Sequence, residues 1–183
     1  MTRRQFLKSA SLAALGGALG AGGYGLMEAK WLRVNRVTLP VPNLPLAFAG
    51  KTVAFMADLH HGPFVPLSYV EHAVNMVNGL KPDLITLGGD YPHMSVRYIA
   101  PCIGALARLR APLGVYAVLG NHDHYFGGQP HTTAALRDAC IPELTNHGLW
   151  IESNGGRLWL CGVDDCRFGK PDLPPAAERR IPG

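Results

Sequence analysis

Three apolar segments, each ending in side chains that bind metal ions, constrain the fold of this chain most strongly. Residues 53–60 end in Asp-Leu-His, residues 84–90 in Gly-Gly-Asp, and residues 115–123 in Gly-Asn-His-Asp. Each segment has the length and the apolar, β-branched composition of a buried strand. Carboxylate, imidazole and amide groups are ligands for hard and borderline metal ions. The sequence therefore predicts three strands that carry metal ligands at their carboxyl ends.

Helical segments are predicted between and after these strands. Residues 67–80 place apolar side chains on one helical stripe, residues 100–110 tolerate Pro101 in a first turn, and residues 132–139 form a short third helix before Pro142. Alternation of strand and helix is typical of an α/β fold with a largely parallel sheet. The crevice outside the carboxyl ends of such a sheet collects ligands. We therefore expect the three segment ends to meet there.

Two further strand regions are predicted outside this alternation. Residues 33–39 alternate as an edge strand should, and the proline-rich residues 40–45 indicate an extended linker. Residues 149–152 and 157–163 flank Ser-Asn-Gly-Gly, which predicts a hairpin. The hairpin would begin a second sheet packed against the first.

The polar ends of the three segments resemble a known family. Asp58-x-His60, Gly89-Asp90 and Gly120-Asn121-His122-Asp123 are similar, in order and separation, to the first three blocks of the calcineurin-like metallophosphoesterases. The resemblance spans roughly residues 50–165. It implies a β-sandwich flanked by helices and two divalent ions, Mn, Fe, Zn or Mg. The metal ligands that it implies are Asp58, His60, Asp90 and Asn121.

The same resemblance implies a reaction. A hydroxide activated by two metal ions, about 3.5–4 Å apart and bridged by Asp90, would hydrolyse a phosphodiester or pyrophosphate. His122 and Asp123 are the implied catalytic residues: His122 faces the phosphate and stabilises or protonates the leaving oxygen. Asp123 either orients His122 or is structural. His61 and His124 lie beside the motifs, and we interpret both as loop histidines.

The chain departs from the family pattern after the hairpin. A later histidine block and Gly-His-x-His, which complete the family's metal ligands, are not present, and neither His131 nor His147 stands in that context. We therefore expect only the N-terminal portion of the fold, with an uncovered apolar sheet face and an open edge. Two alternatives to a phosphodiesterase stay open: a non-catalytic remnant with weakened metal binding, and a phosphomonoesterase acting on soluble substrates.

Residues 1–30 resemble a twin-arginine export signal. Arg3-Arg4 precedes Phe-Leu-Lys and an Ala/Gly/Leu-rich stretch, for which an ordinary membrane anchor or Sec-type signal is the alternative. The resemblance implies contact with the twin-arginine export machinery and a location in the periplasm, or tethered to the outer side of the cytoplasmic membrane. These residues hold four basic groups and one acid, so the remainder carries +1 of the net +4. No nucleic-acid-binding face is therefore predicted.

The substrate expectation rests on residues around the motifs. Asp-Leu-His, Gly-Gly-Asp-Tyr91 and residues 127–129 resemble exported bacterial phosphodiesterases related to the UDP-2,3-diacylglucosamine hydrolases of lipid A synthesis. A lipid-linked phosphoester is therefore the first expectation. The predicted organisation is a signal or anchor at 1–30, an edge strand and linker at 31–49, the metallophosphoesterase domain at 50–170 and a tail at 171–183.

The four cysteines lack the paired spacing of a zinc knuckle. Cys102 and Cys140 fall in segments that we interpret as helical and partly buried, whereas Cys161 lies in the second predicted hairpin strand and Cys166 follows it. Small buried hydrophobic residues are the expected role, and export would permit a disulfide that the sequence does not assign.

Overall fold

The computed structural model describes residues 31–172 and, among the first thirty, residues 2–5, 8, 12, 15–17, 19, 20 and 23. More than half of the predicted export signal and most of the predicted tail therefore lie outside the described residues. The chain divides into two compact units, Met1–Leu39 and Pro40–Gly183. Among the described residues, none of the helices combines the length and apolar character needed to span a membrane.

The three predicted metal-bearing strands form one parallel sheet. Strands β1 (Val53–Met56), β2 (Leu84–Leu87) and β3 (Val115–Ala117) are neighbours in chain order, with both pairs parallel. The predicted α/β class is confirmed. Because neighbouring strands run in the same direction, their carboxyl ends lie at a common edge, where the segments that carry the predicted metal ligands begin.

Within residues 31–172, four α-helices accompany the sheet: α1 (Leu67–Leu80), α2 (Ile99–Leu106), α3 (Asn121–His124) and α4 (Gly128–Asp138). Helix α1 has the predicted bounds. Helix α2 ends four residues before the predicted Arg110, because the chain continues as tight turns that bury Leu109. Helix α4 begins four residues before the predicted Thr132, since Pro130 is tolerated in a first turn.

The main core lies on one face of the sheet. Ile85 and Leu87 of β2 point into it, and the helices supply the other large buried side chains, Val70, Val74, Ile103, Leu106 and Leu136. These residues recur at helical spacing, so each helix turns an apolar stripe toward the sheet. Their burial fixes β2, the central strand, and with it the loop that carries Asp90.

The predicted hairpin is confirmed and packs on the opposite sheet face. Strands β4 (Gly148–Ser153) and β5 (Gly156–Cys161) pair antiparallel, and the intervening Asn154 and Gly155 both have positive φ, as a type I′ turn requires. Ile151 of the hairpin clusters with Leu84 of β2 and with Phe48. The sheet therefore has helices on one face and a two-stranded sheet on the other.

This second layer does not cover β1. Val53 and Phe55 are paired with Leu84 and Thr86, so they point toward the hairpin side. They are nevertheless 55% and 70% exposed. Two apolar side chains of the edge strand are therefore exposed on this sheet face.

Three sequence predictions outside the sheet are wrong. Residues 33–39 form no strand, because alternation of side chains does not by itself supply a hydrogen-bonded neighbour. The linker at residues 40–45 contains a turn with Asn43 at positive φ. The expected burial of the cysteines holds for Cys102 in α2, whereas Cys140, Cys161 and Cys166 are exposed. All four cysteines are free thiols.

Candidate metal centre

Hydrogen bonding between β1 and β2 continues beyond the strands and brings their polar ends together. The backbone N–H of Asp58 donates to Gly89 O (3.2 Å), and that of His60 donates to Asp90 O (2.9 Å). The two segments therefore stay side by side after the regular strands end. Asp58 and His60 necessarily lie beside Asp90.

The side chains of these residues converge on one point. His60 Nε2 lies 3.5 Å from Asp58 Oδ1 and 3.7 Å from Asp90 Oδ2. One ligand atom from each of the three lies within 4.8 Å of the others. His60 Nδ1 is also buried without a hydrogen-bond partner. Two carboxylates and an imidazole at these separations fit a divalent metal ion, whose ligands lie about 2 Å from it.

The backbone at this point is strained. Asp58, His60 and Asp90 have φ values of 56°, 47° and 57°, in the left-handed region. A residue with a Cβ atom pays roughly 1–2 kcal/mol for that conformation. Such strain clusters at functional sites, where the surrounding structure holds it. Holding these three side chains in position therefore costs the protein some folding free energy.

A contact between two glycines joins the β2 and β3 ends. A Cβ atom built on Gly89 would lie 2.1 Å from Gly120 N, and one on Gly120 would lie 2.3 Å from Asp90 Oδ1. Only glycine permits this approach. It lets the backbone N–H of His122 donate to Asp90 Oδ1 (2.8 Å). The third motif is thereby attached directly to the Asp90 carboxylate.

Asp123 supports this contact from inside the protein. Its fully buried carboxylate accepts the backbone N–H groups of Asp90 and Gly120, both at 2.8 Å, and of Tyr91 at 3.3 Å. Burial raises the pKa of Asp123 to about 6, although these three hydrogen bonds lower it. Among the described residues, no hydrogen bond joins Asp123 to the His122 ring. Of the two roles left open for Asp123, orientation of the His122 ring and structural support, its hydrogen bonds match structural support.

His122 and Asn121 lie at the start of α3. The His122 ring centroid is 4.3 Å from that of His60 and 4.7 Å from that of Tyr125. Burial first, and then the neighbouring His60, lowers the pKa of His122. The Asn121 side-chain nitrogen donates to the Tyr125 hydroxyl (3.1 Å). This bond uses the amide nitrogen, so the amide oxygen is the Asn121 atom that could serve as a ligand.

Sequence interpretation missed three histidine roles. His93 joins His60 and His122 in a second convergent group. His61 is buried and its Nδ1 lies 2.9 Å from Val65 O. His124 belongs to α3, and its Nε2 lies 2.9 Å from Asp164 Oδ1, with both side chains largely buried. Of the three, only His93 could have been suspected from the sequence. It follows Asp90 by three residues, so it lies in the loop that continues alongside residues 60–61.

Exposed aromatic side chains contact His93 and Tyr125, two residues beside the candidate metal centre. Phe64 contacts His93, and both Phe126 and Phe168 contact Tyr125, which itself packs on His122. The three phenylalanines are 84%, 72% and 48% exposed. We call Phe64, Phe126 and Phe168 the aromatic rim. Exposed aromatic groups next to a polar centre are typical of sites that bind an apolar group.

Carboxylates and an imidazole outside the carboxyl ends of parallel strands define an α/β protein with a metal-binding centre. The family profile described as calcineurin-like phosphoesterase matches residues 51–166. The chain belongs to this family, as its three motifs predicted. The family's members depend on metal ions, and the clustered side chains are candidate ligands for them.

The curated relatives extend from bacteria to animals. The chain is 32% identical to phosphodiesterase YaeI of Escherichia coli, over all of this chain and 67% of YaeI. It is 30% identical to the metallophosphoesterase YkuE of Bacillus subtilis, over 98% of this chain and 65% of YkuE. It is 31% identical to a transmembrane protein with a metallophosphoesterase domain from Bos taurus, over 72% of this chain. The chain thus spans between about a third and two thirds of these relatives.

Proposed function

We propose that this chain is a metal-dependent phosphodiesterase acting on a lipid-linked phosphoester. The observation that carries the proposal is the convergence of Asp58, His60 and Asp90 within 4.8 Å at the ends of two parallel strands. Family membership and the similarity to a bacterial phosphodiesterase support the ester class.

The ligand set suits two divalent ions. Asp58 and His60 would serve one ion, Asn121 the other, and Asp90 would contribute to both. Mixed oxygen and nitrogen donors accept Mn, Fe, Zn or Mg. When bound, such ions polarise the phosphoryl group and supply a nucleophile from water near neutral pH. The Asp90 carboxylate is held for this task by the backbone N–H of His122.

His122 is proposed to contact the phosphoryl group. Its lowered pKa keeps the imidazole neutral near pH 7. A neutral imidazole retains one N–H donor, which can donate to the leaving oxygen as negative charge develops there. His122 Nδ1 is buried without a protein partner, so the ring has hydrogen-bonding capacity that the protein does not use.

The aromatic rim supports an apolar substituent on the ester. All three side chains of the rim, Phe64, Phe126 and Phe168, are exposed, so each has apolar surface that a bound ligand could cover. Each aromatic side chain that a ligand covers removes apolar area from water, worth about 25 cal/mol per Å². An acylated phosphodiester or pyrophosphate, such as the pyrophosphate UDP-2,3-diacylglucosamine, combines a phosphorus for the metal centre with apolar groups for the rim.

Metal-loaded, purified protein assayed on three substrates tests the proposal. With Mn²⁺ we expect hydrolysis of bis(p-nitrophenyl) phosphate, slower hydrolysis of p-nitrophenyl phosphate, and a lower KM for an acylated diester. EDTA should abolish all three activities. Metal binding without hydrolysis would support the non-catalytic alternative, and faster monoester hydrolysis would contradict the diester assignment.

We also infer export through the twin-arginine route, from Arg3-Arg4 and the residues that follow. Fractionation of a Gram-negative host expressing the full chain should recover it outside the cytosol. Replacing both arginines by lysine should leave it in the cytosol. Export that is unaffected by this change would contradict the inference.

A further inference from the structure

A second group of side chains converges next to the carboxylate cluster. One ring nitrogen from each of His60, His93 and His122 lies within 4.8 Å of the others. The His93 ring stacks over His122 at 5.9 Å with an interplanar angle of 28°, and meets His60 edge-on at 6.3 Å. His60 belongs to both groups, so the imidazole group lies directly beside the proposed metal ligands.

The backbone of His93 is held in place rather than left in an open loop. Its N–H donates to His61 O (2.7 Å), and His61 and Pro92 form a parallel β-bridge. His61, buried beneath, is fixed by its own ring contact with Val65 O. A Cβ atom on Gly62 would lie 2.7 Å from His93 Cβ, so the backbone of Gly62 packs closely against His93. These contacts fix the position from which the ring projects.

The carboxylate group (Asp58, His60 and Asp90) suits a cation, whereas the imidazole group (His60, His93 and His122) suits an anion. The first contains two carboxylates, which balance the charge of a cation. The second contains imidazoles alone, and a neutral imidazole offers an N–H donor without negative charge. A phosphoryl group bound to a cation at the first group needs donors for its remaining oxygens. The imidazole group adjoins the first group through His60, so it can supply such donors.

We propose that His93 is a second phosphate-contacting residue, which donates a hydrogen bond to a phosphoryl oxygen alongside His122. His60 remains with the carboxylates in this arrangement. The inference rests on the proposed phosphoesterase function and adds a residue that none of the three motifs contains. It predicts that His93 determines affinity for the phosphate group and not for the metal.

Titration of inorganic phosphate into the metal-loaded protein tests this role apart from catalysis. For His93→Ala we expect about a tenfold weaker phosphate affinity and about a 100-fold lower kcat/KM, the usual scale for losing one donor to developing charge. Metal content should equal that of the native protein. His93→Gln, which keeps an N–H donor, should recover part of the affinity. His72→Ala, which removes an exposed imidazole from α1, is the matched control and should change neither quantity.

Gly62→Ala provides an independent variant, since it keeps the imidazole but displaces it. We expect weaker phosphate binding with metal content unchanged. Loss of metal in His93→Ala would make His93 a ligand and overturn the inference, as would an unchanged phosphate affinity or a native protein that binds no phosphate. Native protein that binds phosphate through His93 but hydrolyses no ester would contradict the proposed function and leave the His93 contact standing.

Discussion

Replacing Asp90 by alanine is expected to remove bound metal and reduce diester hydrolysis to background. Asp90 is the residue on which the three motifs meet: its Oδ2 lies 3.7 Å from His60 Nε2, and its Oδ1 accepts the N–H of His122. Mutation of a residue that only hydrogen-bonds to a metal ligand already lowers metal affinity by about 10–100-fold. Loss of a shared ligand should therefore exceed about 100-fold, measured by metal content after dialysis and by titration with Mn²⁺.

Asp138→Ala is the matched control, because Asp138 carries a carboxylate that is 73% exposed at the end of α4. Its metal content and rate should equal those of the native protein. Retention of native metal content by Asp90→Ala would remove Asp90 from the ligand set. The Asp90→Asn variant removes the negative charge but preserves the shape of the side chain. Its metal content therefore shows how much of the loss in Asp90→Ala is due to the charge alone.

Gly120→Ala is expected to damage both stability and metal binding. The added methyl group would lie 2.3 Å from Asp90 Oδ1 and 2.7 Å from Asp90 N, so relief requires a backbone shift. Overpacking of this kind costs about 1–3 kcal/mol. The shift would also carry the Asp90 carboxylate away from His60. Urea denaturation and metal titration of the same preparation measure the two effects.

Gly79→Ala is the corresponding control in a helix. Gly79 lies in α1 with nothing within 4 Å of an added Cβ atom. Alanine should therefore stabilise the protein by about 0.5–1 kcal/mol and leave metal binding unchanged. Equal behaviour of the two alanine variants would contradict the close contact between Gly120 and Asp90.

The parts of the fold set by local chemistry were predictable from sequence. The apolar stripe of α1 predicted both ends of the helix correctly. The Asn154-Gly155 pair predicted the hairpin turn, because both residue types tolerate the positive φ that the turn requires. The predicted strand at residues 33–39 failed because a strand depends on a distant partner. The same limitation hid the pairing of His124 with Asp164, which are 40 residues apart and share no motif.

The candidate site was predictable only in part for a similar reason. Parallel neighbours place their carboxyl ends together, so the meeting of Asp58, His60 and Asp90 follows from strand order alone. The role of Asp123 depends on the close approach of Gly89 and Gly120, which no local pattern encodes. The position of His93 beside His60 could not be predicted from the sequence alone, because it depends on hydrogen bonding between the first two segments that continues past the strands.

Anomalous diffraction at the Mn absorption edge, from crystals grown with Mn²⁺, would locate a bound metal ion directly. We expect a peak between the side chains of Asp58, His60 and Asp90, about 2.0–2.3 Å from their donor atoms. Crystals of Asp90→Ala should lack it. Ordered density for these three side chains with no peak between them, or a peak only elsewhere on the chain, would show that they do not form the metal site.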